Sequence, residues 1–262
     1  MTFRGMFCWI VAVGLATLTT AGCTAVRVGG KAAADVFTDP QTLALVQAAC
    51  DGNLVEIDAL VKAGANVNAT GYRDTSVLAW AMFCKNYSGI EKLLTLGANP
   101  NYKMEGDISA MWASAGSDDP HFLPMMLAHG GDPNIWSGAD SALMIAMEQG
   151  RKQNFQLLLD HGADINAHEK GGVSTVATYA AALAKFDVVE ELLRRGYDFD
   201  LKGLALGVNG RVVAPDLQKE KQDVLDMLKE RGVKFPLPPP IIAPPAPGTK
   251  PPSWWHPKSS SD

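Results

Sequence analysis

The sequence lacks most of the features on which catalysis or nucleic-acid binding usually depends. Only 19% of the 262 residues are charged, acidic residues outnumber basic ones 28 to 23, and no basic stripe appears. A nucleic-acid partner is therefore not expected, because proteins that bind nucleic acids cluster Lys and Arg on one face. The chain also lacks HExxH, GxSxG, P-loop and paired CxxC motifs. We expect no catalytic residues, no bound metal and no cofactor.

Histidine and cysteine are also scarce, with five and four residues, so few side chains could bind a metal. Two of the histidines, His129 and His161, come directly before a glycine at the end of a leucine-rich segment. A cation there complements the partial negative charge of a helix C-terminus, so we interpret both as structural. The neighbouring carboxylates Asp118 and Asp119 stand in an SDDP sequence, which we interpret as a solvated turn.

What the sequence does contain is a repeat with a period of about 33 residues. Each copy ends in a glycine and a short polar segment: GANVN, GANPN, GGDPN, GADIN and the degenerate GYDFD. The five glycines are 33, 33, 32 and 34 residues apart: Gly64, Gly97, Gly130, Gly162 and Gly196. Self-similarity at this period is typical of a solenoid, in which stacked copies of one supersecondary unit bury a common core.

Each copy predicts two helices. Apolar residues lie seven, four and three positions before each glycine, such as Phe155, Leu158 and Leu159 before Gly162, which places one apolar stripe on a helix. The glycine predicts a left-handed helix terminator. A small polar residue 21 positions before each of four glycines predicts the N-cap of a preceding helix: Ser76, Ser109, Ser141 and Thr175.

With this period, two helices per copy and GxDxN-like loops, residues 38–235 resemble ankyrin repeats. The resemblance implies an all-α helical solenoid with short hairpin loops, built from five recognisable repeats and a divergent C-terminal capping unit. The TPLH opening of the family is eroded, and we interpret Trp112, which replaces one histidine, as a core or groove-lining residue. In the last unit Lys229 replaces an apolar residue of the stripe, as fits a terminal repeat with nothing stacked outside it.

Ankyrin repeats bind other proteins through their hairpin tips and the concave ends of their first helices, and the resemblance implies the same surface here. The predicted protein-binding residues are Tyr72, Arg73, Glu105, Trp136, Ser137 and Lys170 at the tips, and Phe83, Glu148 and Gln149 on the helices. Tyr, Trp and Arg are the residue types that dominate binding hot spots. In the alternative interpretation, Tyr72 and Trp136 pack within their own hairpins.

The N-terminus predicts export and lipidation. Residues 1–22 carry one charge, Arg4, and then an apolar run that is typical of a signal peptide and too short to span a membrane. The sequence Thr20-Ala21-Gly22-Cys23 resembles the lipobox of bacterial lipoproteins, although Thr20 replaces the usual leucine. This resemblance implies that Cys23 is lipidated and that residues 23–37 form a lipidated tether. Otherwise residues 1–22 are an ordinary signal peptide.

The residue after the cysteine and the end of the chain carry further predictions. Lipoproteins kept at the inner membrane typically have Asp where this chain has Thr24. The resemblance therefore implies the outer membrane, facing the periplasm, with inner-membrane anchoring as the alternative. Residues 236–262 hold ten of the sixteen prolines and predict an extended, disordered tail. Its Trp254-Trp255 pair is either part of that tail or a docking element.

Removal of the signal peptide and lipidation of Cys23 would leave two cysteines, Cys50 and Cys84. Both follow small residues of a first helix in neighbouring repeats, one residue out of register, so we expect them near each other on the concave side. An exported protein can form disulfides. Stacked equivalent positions, however, are separated by more than the ~7 Å that a disulfide allows between Cα atoms. The sequence leaves a disulfide and two half-buried free thiols open.

The sequence therefore predicts a non-catalytic, membrane-anchored and monomeric module that binds another protein in the periplasm. The alternative is an immunity protein that neutralises a periplasm-active antibacterial enzyme such as a lipase. A chain with a net charge of −5 has a charge complementary to that of a basic enzyme of that kind.

Overall fold

The computed structural model describes residues 26–168 and 174–236. The predicted signal peptide, Cys23, Lys170 and the chain beyond residue 236 lie outside the described residues. Within the two described ranges, no helix is long and apolar enough to cross a membrane. The chain divides into two compact units, residues 1–179 and 180–262, and each is described by itself.

Short helices make up more than half of the described residues, which confirms the prediction of an all-α architecture. The first unit contains α1 (Ala33–Val36), α2 (Pro40–Asp51), α3 (Leu54–Lys62), α4 (Val77–Cys84), α5 (Tyr87–Thr95), α6 (Ala110–Gly116), α7 (Phe122–Ala128), α8 (Ala142–Glu148) and α9 (Lys152–Asp160). Helix α10 (Val176–Ala182) includes the division between the units. The second unit continues with α11 (Phe186–Arg194), α12 (Leu201–Gly210) and α13 (Gln218–Glu230).

Hairpins separate the helix pairs of the first unit. Strands β1 (Arg27–Val28) and β2 (Lys31–Ala32) pair antiparallel, as do β3 (Trp136–Ser137) and β4 (Asp140–Ser141). A single antiparallel bridge joins Thr70 to Ser76 around a 3-10 turn at Tyr72–Asp74, and another joins His168 to Thr175. A second 3-10 turn, Pro215–Leu217, precedes α13.

The predicted helix boundaries are present. The Oγ atoms of Ser76, Ser109 and Ser141 accept hydrogen bonds from backbone amides three residues later, at 3.1, 3.1 and 3.2 Å, so each serine caps its helix. All five repeat glycines have φ between 82° and 103°. A side chain would be strained in that left-handed region, which is why the sequence places glycine there.

The predicted apolar stripes form the core. The residue seven positions before each repeat glycine is buried: Ile57, Ile90, Leu123, Phe155 and Val189. Trp112 is also a core residue, only 3% exposed, and its Nε1 donates a hydrogen bond to the carbonyl of Asp140 at 2.9 Å. A buried indole N–H needs such a partner.

An asparagine in each GxDxN-like loop joins successive repeats of the first unit. The Nδ2 of Asn101 donates to the carbonyl of Gly130, and its Oδ1 accepts from the amide of Asp132, both at 2.8 Å. Asn68 makes the same two bonds to the loop that follows it, and so does Asn134. The loops of successive repeats therefore have a fixed register, and the hairpins beside them are placed at regular intervals.

The structure differs from the expected tether of residues 23–37, because the chain is folded from residue 26 onward. The β1–β2 hairpin leads into α1, and Val36 and Phe37 are 5% and 1% exposed. The ring of Phe37 packs edge-on against Trp80, with centroids 5.8 Å apart. Gly71 makes room for this packing, since a Cβ at Gly71 would lie 2.4 Å from the carbonyl oxygen of Val36.

In the second unit, α11 and α12 both pack against α13. Val224 and Leu228 of α13 are fully buried, while Lys229 is exposed, as the sequence predicts for a capping unit. Arg231 follows α13, and its guanidinium donates hydrogen bonds to the carbonyls of Leu193 and Tyr197 at 2.9 and 3.1 Å. These bonds join the end of α13 to the last turn of α11 and to the loop that follows it.

Candidate functional site

The hairpin tips of the first unit are connected to one another in sequence order. The N-terminal hairpin contacts the hairpin of residues 70–76, which contacts the loop of residues 103–108, which in turn contacts the β3–β4 hairpin. We call this surface the tip row. The row contains five of the six predicted tip residues, and the sixth, Lys170, lies outside the described residues.

The strongest connection within the tip row is an ion pair. Arg73 donates two hydrogen bonds to the carboxylate of Glu105, from Nε at 2.8 Å and from Nη2 at 3.1 Å. The bonds raise the pKa of Arg73 and lower the pKa of Glu105, so both are charged at neutral pH. The two residues were predicted separately as contact residues, and the structure shows that they act as a pair.

Asp107, which the sequence analysis missed, makes the next connection. Its Oδ2 accepts the backbone amide of Gly138 in the β3–β4 hairpin at 2.9 Å, and Lys103 forms an ion pair with the same carboxylate. The amide of Gly138 and then the Lys103 ammonium lower the pKa of Asp107. No sequence motif indicates this role for Asp107, because the residue lies outside the regular GxDxN-like segment.

The two predicted aromatic tip residues differ in environment. Tyr72 is 54% exposed, and the ammonium of Lys31 lies 4.5 Å from the centre of its ring. The N-terminal hairpin thus adds a cation to the tip row that the sequence did not predict. Trp136 is half-buried in β3, where its backbone position pairs with Ser141 of β4.

The predicted helix residues lie at the C-terminal ends of α4 and α8. Phe83 is 39% exposed, and its ring packs against Trp80 at 6.4 Å between centroids. Glu148 is exposed and Gln149 half-buried. Asp140 is half-buried near Glu148, and partial burial and then the charge of Glu148 raise the pKa of its carboxyl group.

Cys50 and Cys84 form a disulfide in the structure, with their Cα atoms 5.2 Å apart. The bond joins the C-terminal ends of α2 and α4. The spacing expected from the sequence did not include the close contact between α5 and α2. A Cβ at Gly89 of α5 would lie 2.0 Å from the carbonyl oxygen of Ala49. Glycine at this position therefore lets α5 approach the end of α2 very closely.

The interpretation of Asp119 as part of a solvated turn was wrong. Asp119 is 7% exposed and accepts a hydrogen bond from the hydroxyl of Tyr87 at 2.7 Å. His121 contributes its amide and its ring Nδ1, both 3.1 Å from Oδ1 of Asp119, and its ring stacks on Tyr87. Burial opposes ionisation, but these bonds and the nearby Lys85 hold the pKa of Asp119 below its ordinary value.

The histidines before the repeat glycines contact different groups: His161 contacts a carbonyl in the last turn of its own helix, and His129 contacts a carboxylate of the preceding repeat. His129 Nε2 lies 2.8 Å from the carboxylate of Glu91, and His161 Nδ1 lies 2.9 Å from the carbonyl of Leu157. Among the described residues, no group of three or more His, Cys, Asp or Glu side chains could hold a metal ion.

Comparison with known proteins identifies the fold. Residues 110–203 match the family described as ankyrin repeats, in three copies. The crystal structure of the human ASB11 ankyrin repeat domain covers 73% of this chain and 85% of its own, with a TM-score of 0.51 and 22% sequence identity. The protein folds as an ankyrin-repeat solenoid.

Three curated proteins are similar to this chain over part of their sequences. Protein PhlB of Serratia liquefaciens is 30% identical over 138 residues, which are 52% of this chain and 60% of PhlB. The ankyrin repeat domain-containing protein SAT10 of Stachybotrys chartarum is 26% identical over 158 residues, which are 60% of this chain and 8% of SAT10. Zygote-specific protein 3 of Chlamydomonas reinhardtii is 29% identical over 131 residues, 50% of this chain and 35% of its own length. The chain thus spans less than two thirds of each relative.

Ankyrin repeats form protein-interaction modules, and their fold generally serves as a binding scaffold without catalysis. In this ankyrin solenoid the tip row presents an exposed aromatic ring, a bidentate ion pair and a half-exposed indole. These groups can recognise a protein surface through apolar contact, hydrogen bonds and charge.

Proposed function

We propose that the protein is a membrane-anchored, monomeric binding module of the bacterial periplasm, and that it binds another protein through the tip row and the C-terminal ends of α4 and α8. The connection that best supports this proposal is the ion pair between Arg73 and Glu105, because it fixes two exposed side chains on successive hairpins. A surface that is ordered before binding loses less conformational entropy when a partner docks.

The residue types of the tip row also support a protein partner. Tyr72 is exposed, Arg73 is exposed, and Trp136 is half-exposed. These are the three residue types most enriched in binding hot spots. Their chemistry combines large apolar area with hydrogen-bonding groups, which suits a protein surface better than a small polar ligand.

The disulfide supports an exported protein. Structural disulfides form and persist in oxidising compartments such as the periplasm and are rare in reducing ones. The bond between Cys50 and Cys84 agrees with the signal peptide that residues 1–22 predict and with lipidation of Cys23. With Thr24 after the cysteine, we place the anchored protein at the outer membrane, facing the periplasm, and keep inner-membrane anchoring as the alternative.

An inhibitory role is the second candidate. Its support is the net charge of −5 and a proposed anchor at the membrane, where a periplasm-active lipase would reach its substrate. In this role the tip row would bind the enzyme and block it. A scaffold and an inhibitor use the same surface and differ in the partner.

Capture from the envelope tests the proposed function. The full chain with a C-terminal affinity tag is expressed in its bacterium, crosslinked in intact cells and purified, beside a variant in which Tyr72, Arg73 and Trp136 are all alanine. We expect one partner to be recovered with the parent chain and at least tenfold less with the variant, since truncation of hot-spot residues costs about 2 kcal/mol or more each. Equal recovery of that partner with both chains would exclude the tip row. The recovered partner is then assayed for activity with and without the protein, which separates an inhibitor from a scaffold.

A further inference from the structure

The described part of the first unit starts three residues after the proposed lipidation site. Residue 26 is described, β1 starts at Arg27, and Val36 and Phe37 are buried beside Gly71 and Trp80. The N-terminal hairpin is therefore held by the core and is part of the repeat domain.

Chain geometry sets a limit on how far this hairpin can lie from an anchor. Three residue steps separate Cys23 from residue 26. A fully extended chain advances at most ~3.3–3.6 Å per residue, so residue 26 is within about 11 Å of an acylated Cys23. The headgroup layer on one side of a bilayer is itself ~5–8 Å thick. A domain anchored in this way would stay in contact with the membrane surface.

The chemistry of the hairpin fits a phospholipid surface. Residues 26–34 contain two cations, Arg27 and Lys31, and no carboxylate, and both cations are exposed. The next acidic side chain, Asp35, accepts a hydrogen bond from the amide of Ala32 at 2.8 Å. Basic residues close to an anionic membrane surface are attracted to it.

We propose that the N-terminal hairpin, residues 26–32, lies against the phospholipid headgroups and that the tip row begins at the membrane surface. This inference rests on the proposed lipidation of Cys23. Tyr72, whose ring is covered by Lys31, is the first tip residue above the headgroups. The partner must then reach the row at the membrane, as a protein that is itself bound to the bilayer or acts on it would do.

Photo-crosslinking in the full, lipidated chain tests this arrangement. Azidophenylalanine replaces Tyr72 in one protein and Phe83 in a control, both aromatic and exposed. Phe83 lies at the far end of α4, a helix of eight residues that is about 12 Å long. Each protein is made with the native N-terminus and with a flexible Gly/Ser insertion of about 15 residues between Ala25 and Val26, which adds an average of about 20 Å. The proteins are reconstituted into vesicles of phosphatidylethanolamine and phosphatidylglycerol and illuminated, and lipid adducts are measured by mass spectrometry.

We expect several times more lipid adduct at position 72 than at position 83, and a severalfold loss at position 72 after the insertion. Equal adduct at both positions, or no effect of the insertion, would overturn the inference while leaving the anchor and the binding function in place. Incorporation of a palmitate analogue, measured on the same preparations, separates the two failures. Absence of that label would refute the anchor, and the inference would fall with it.

Discussion

The guanidinium of Arg73 donates two hydrogen bonds, at 2.8 and 3.1 Å, to the carboxylate of Glu105, which belongs to the next hairpin. The backbone amide of Glu105 also donates to the carbonyl of Arg73 at 3.3 Å. The planar guanidinium matches a carboxylate in this two-point geometry, whereas a lysine would supply only a point charge. Arg73 therefore orients Glu105 and is also exposed to a binding partner.

Removal of Glu105 should loosen the tips and leave the repeats intact. In Glu105→Ala we expect the amides of residues 72–75 and 105–107 to exchange hydrogen several times faster, because the hairpins lose both side-chain bonds between them and keep only the backbone bond from the amide of residue 105 to Arg73. Exchange in helix α9 should not change. Native-state hydrogen exchange measures this. Lys103→Ala, which removes an ion pair within one loop, serves as the control. Unchanged exchange in Glu105→Ala would show that the ion pair does not order the tips.

The asparagine bonds between repeats should contribute measurably to stability. Asn101→Ala leaves the carbonyl of Gly130 and the amide of Asp132 without their partner, and we expect a loss of about 1–3 kcal/mol in the free energy of unfolding. Urea denaturation of the first unit measures the loss. Gln153→Ala, at an exposed position of α9, should stay within about 0.5 kcal/mol of the parent. A loss no larger than that of the control would mean that the loops are held by other contacts.

The disulfide should stabilise the first two repeats. It joins residues 34 apart in sequence, and removing a bond that closes such a loop costs about 2–4 kcal/mol. We therefore expect dithiothreitol to lower the denaturation midpoint of the parent and to leave the Cys50→Ser/Cys84→Ser double variant unaffected. A free-thiol count of zero under denaturing, non-reducing conditions is expected for the exported protein. Two reactive thiols there would contradict the disulfide and weaken the case for export.

The buried carboxylate of Asp119 should make stability depend on pH. Its folded-state pKa lies below the ordinary value of 3.8, so its contribution is complete above about pH 4. The contribution is lost as the pH falls through the lower, folded-state pKa. Asp119→Asn should therefore unfold more easily than the parent at pH 7, by about 1–3 kcal/mol, and the difference should shrink below pH 4. Asp118→Asn, on the neighbouring residue, is the control. A difference that stays constant from pH 7 to pH 3 would show that the ionised carboxylate is unimportant.

Periodicity explains which parts of the fold the sequence predicted. The pattern consists of the repeat glycines, the serine caps and the apolar stripes, which recur with the period of the repeat. Each of them has a local physical cause. The structure contains all three where the sequence placed them. The ankyrin fold and a protein-interaction role follow from the same pattern, and the comparisons support both.

Features outside the pattern were not predictable. Residues 26–37 have no counterpart in the repeat, so their packing on Trp80 through Phe37 left no periodic signal. The environment of Asp119 depends on Tyr87, which is 32 residues away and belongs to the preceding repeat. The close approach of α5 to the end of α2, next to Cys50, depends on Gly89, where a side chain would meet the carbonyl of Ala49. Each of these contacts joins residues that differ from repeat to repeat.

The most direct test of the central claim is the affinity of the purified partner for variants of the tip row. Isothermal titration compares the parent with Tyr72→Ala/Arg73→Ala/Trp136→Ala and with a control triple, Val55→Ala/Lys62→Ala/Gln153→Ala, on exposed positions of α3 and α9. We predict a dissociation constant at least tenfold higher for the tip variant, with unchanged helicity, and a value within twofold of the parent for the control. Parental affinity in the tip variant, or a larger loss in the control, would contradict the assignment of the tip row as the binding surface.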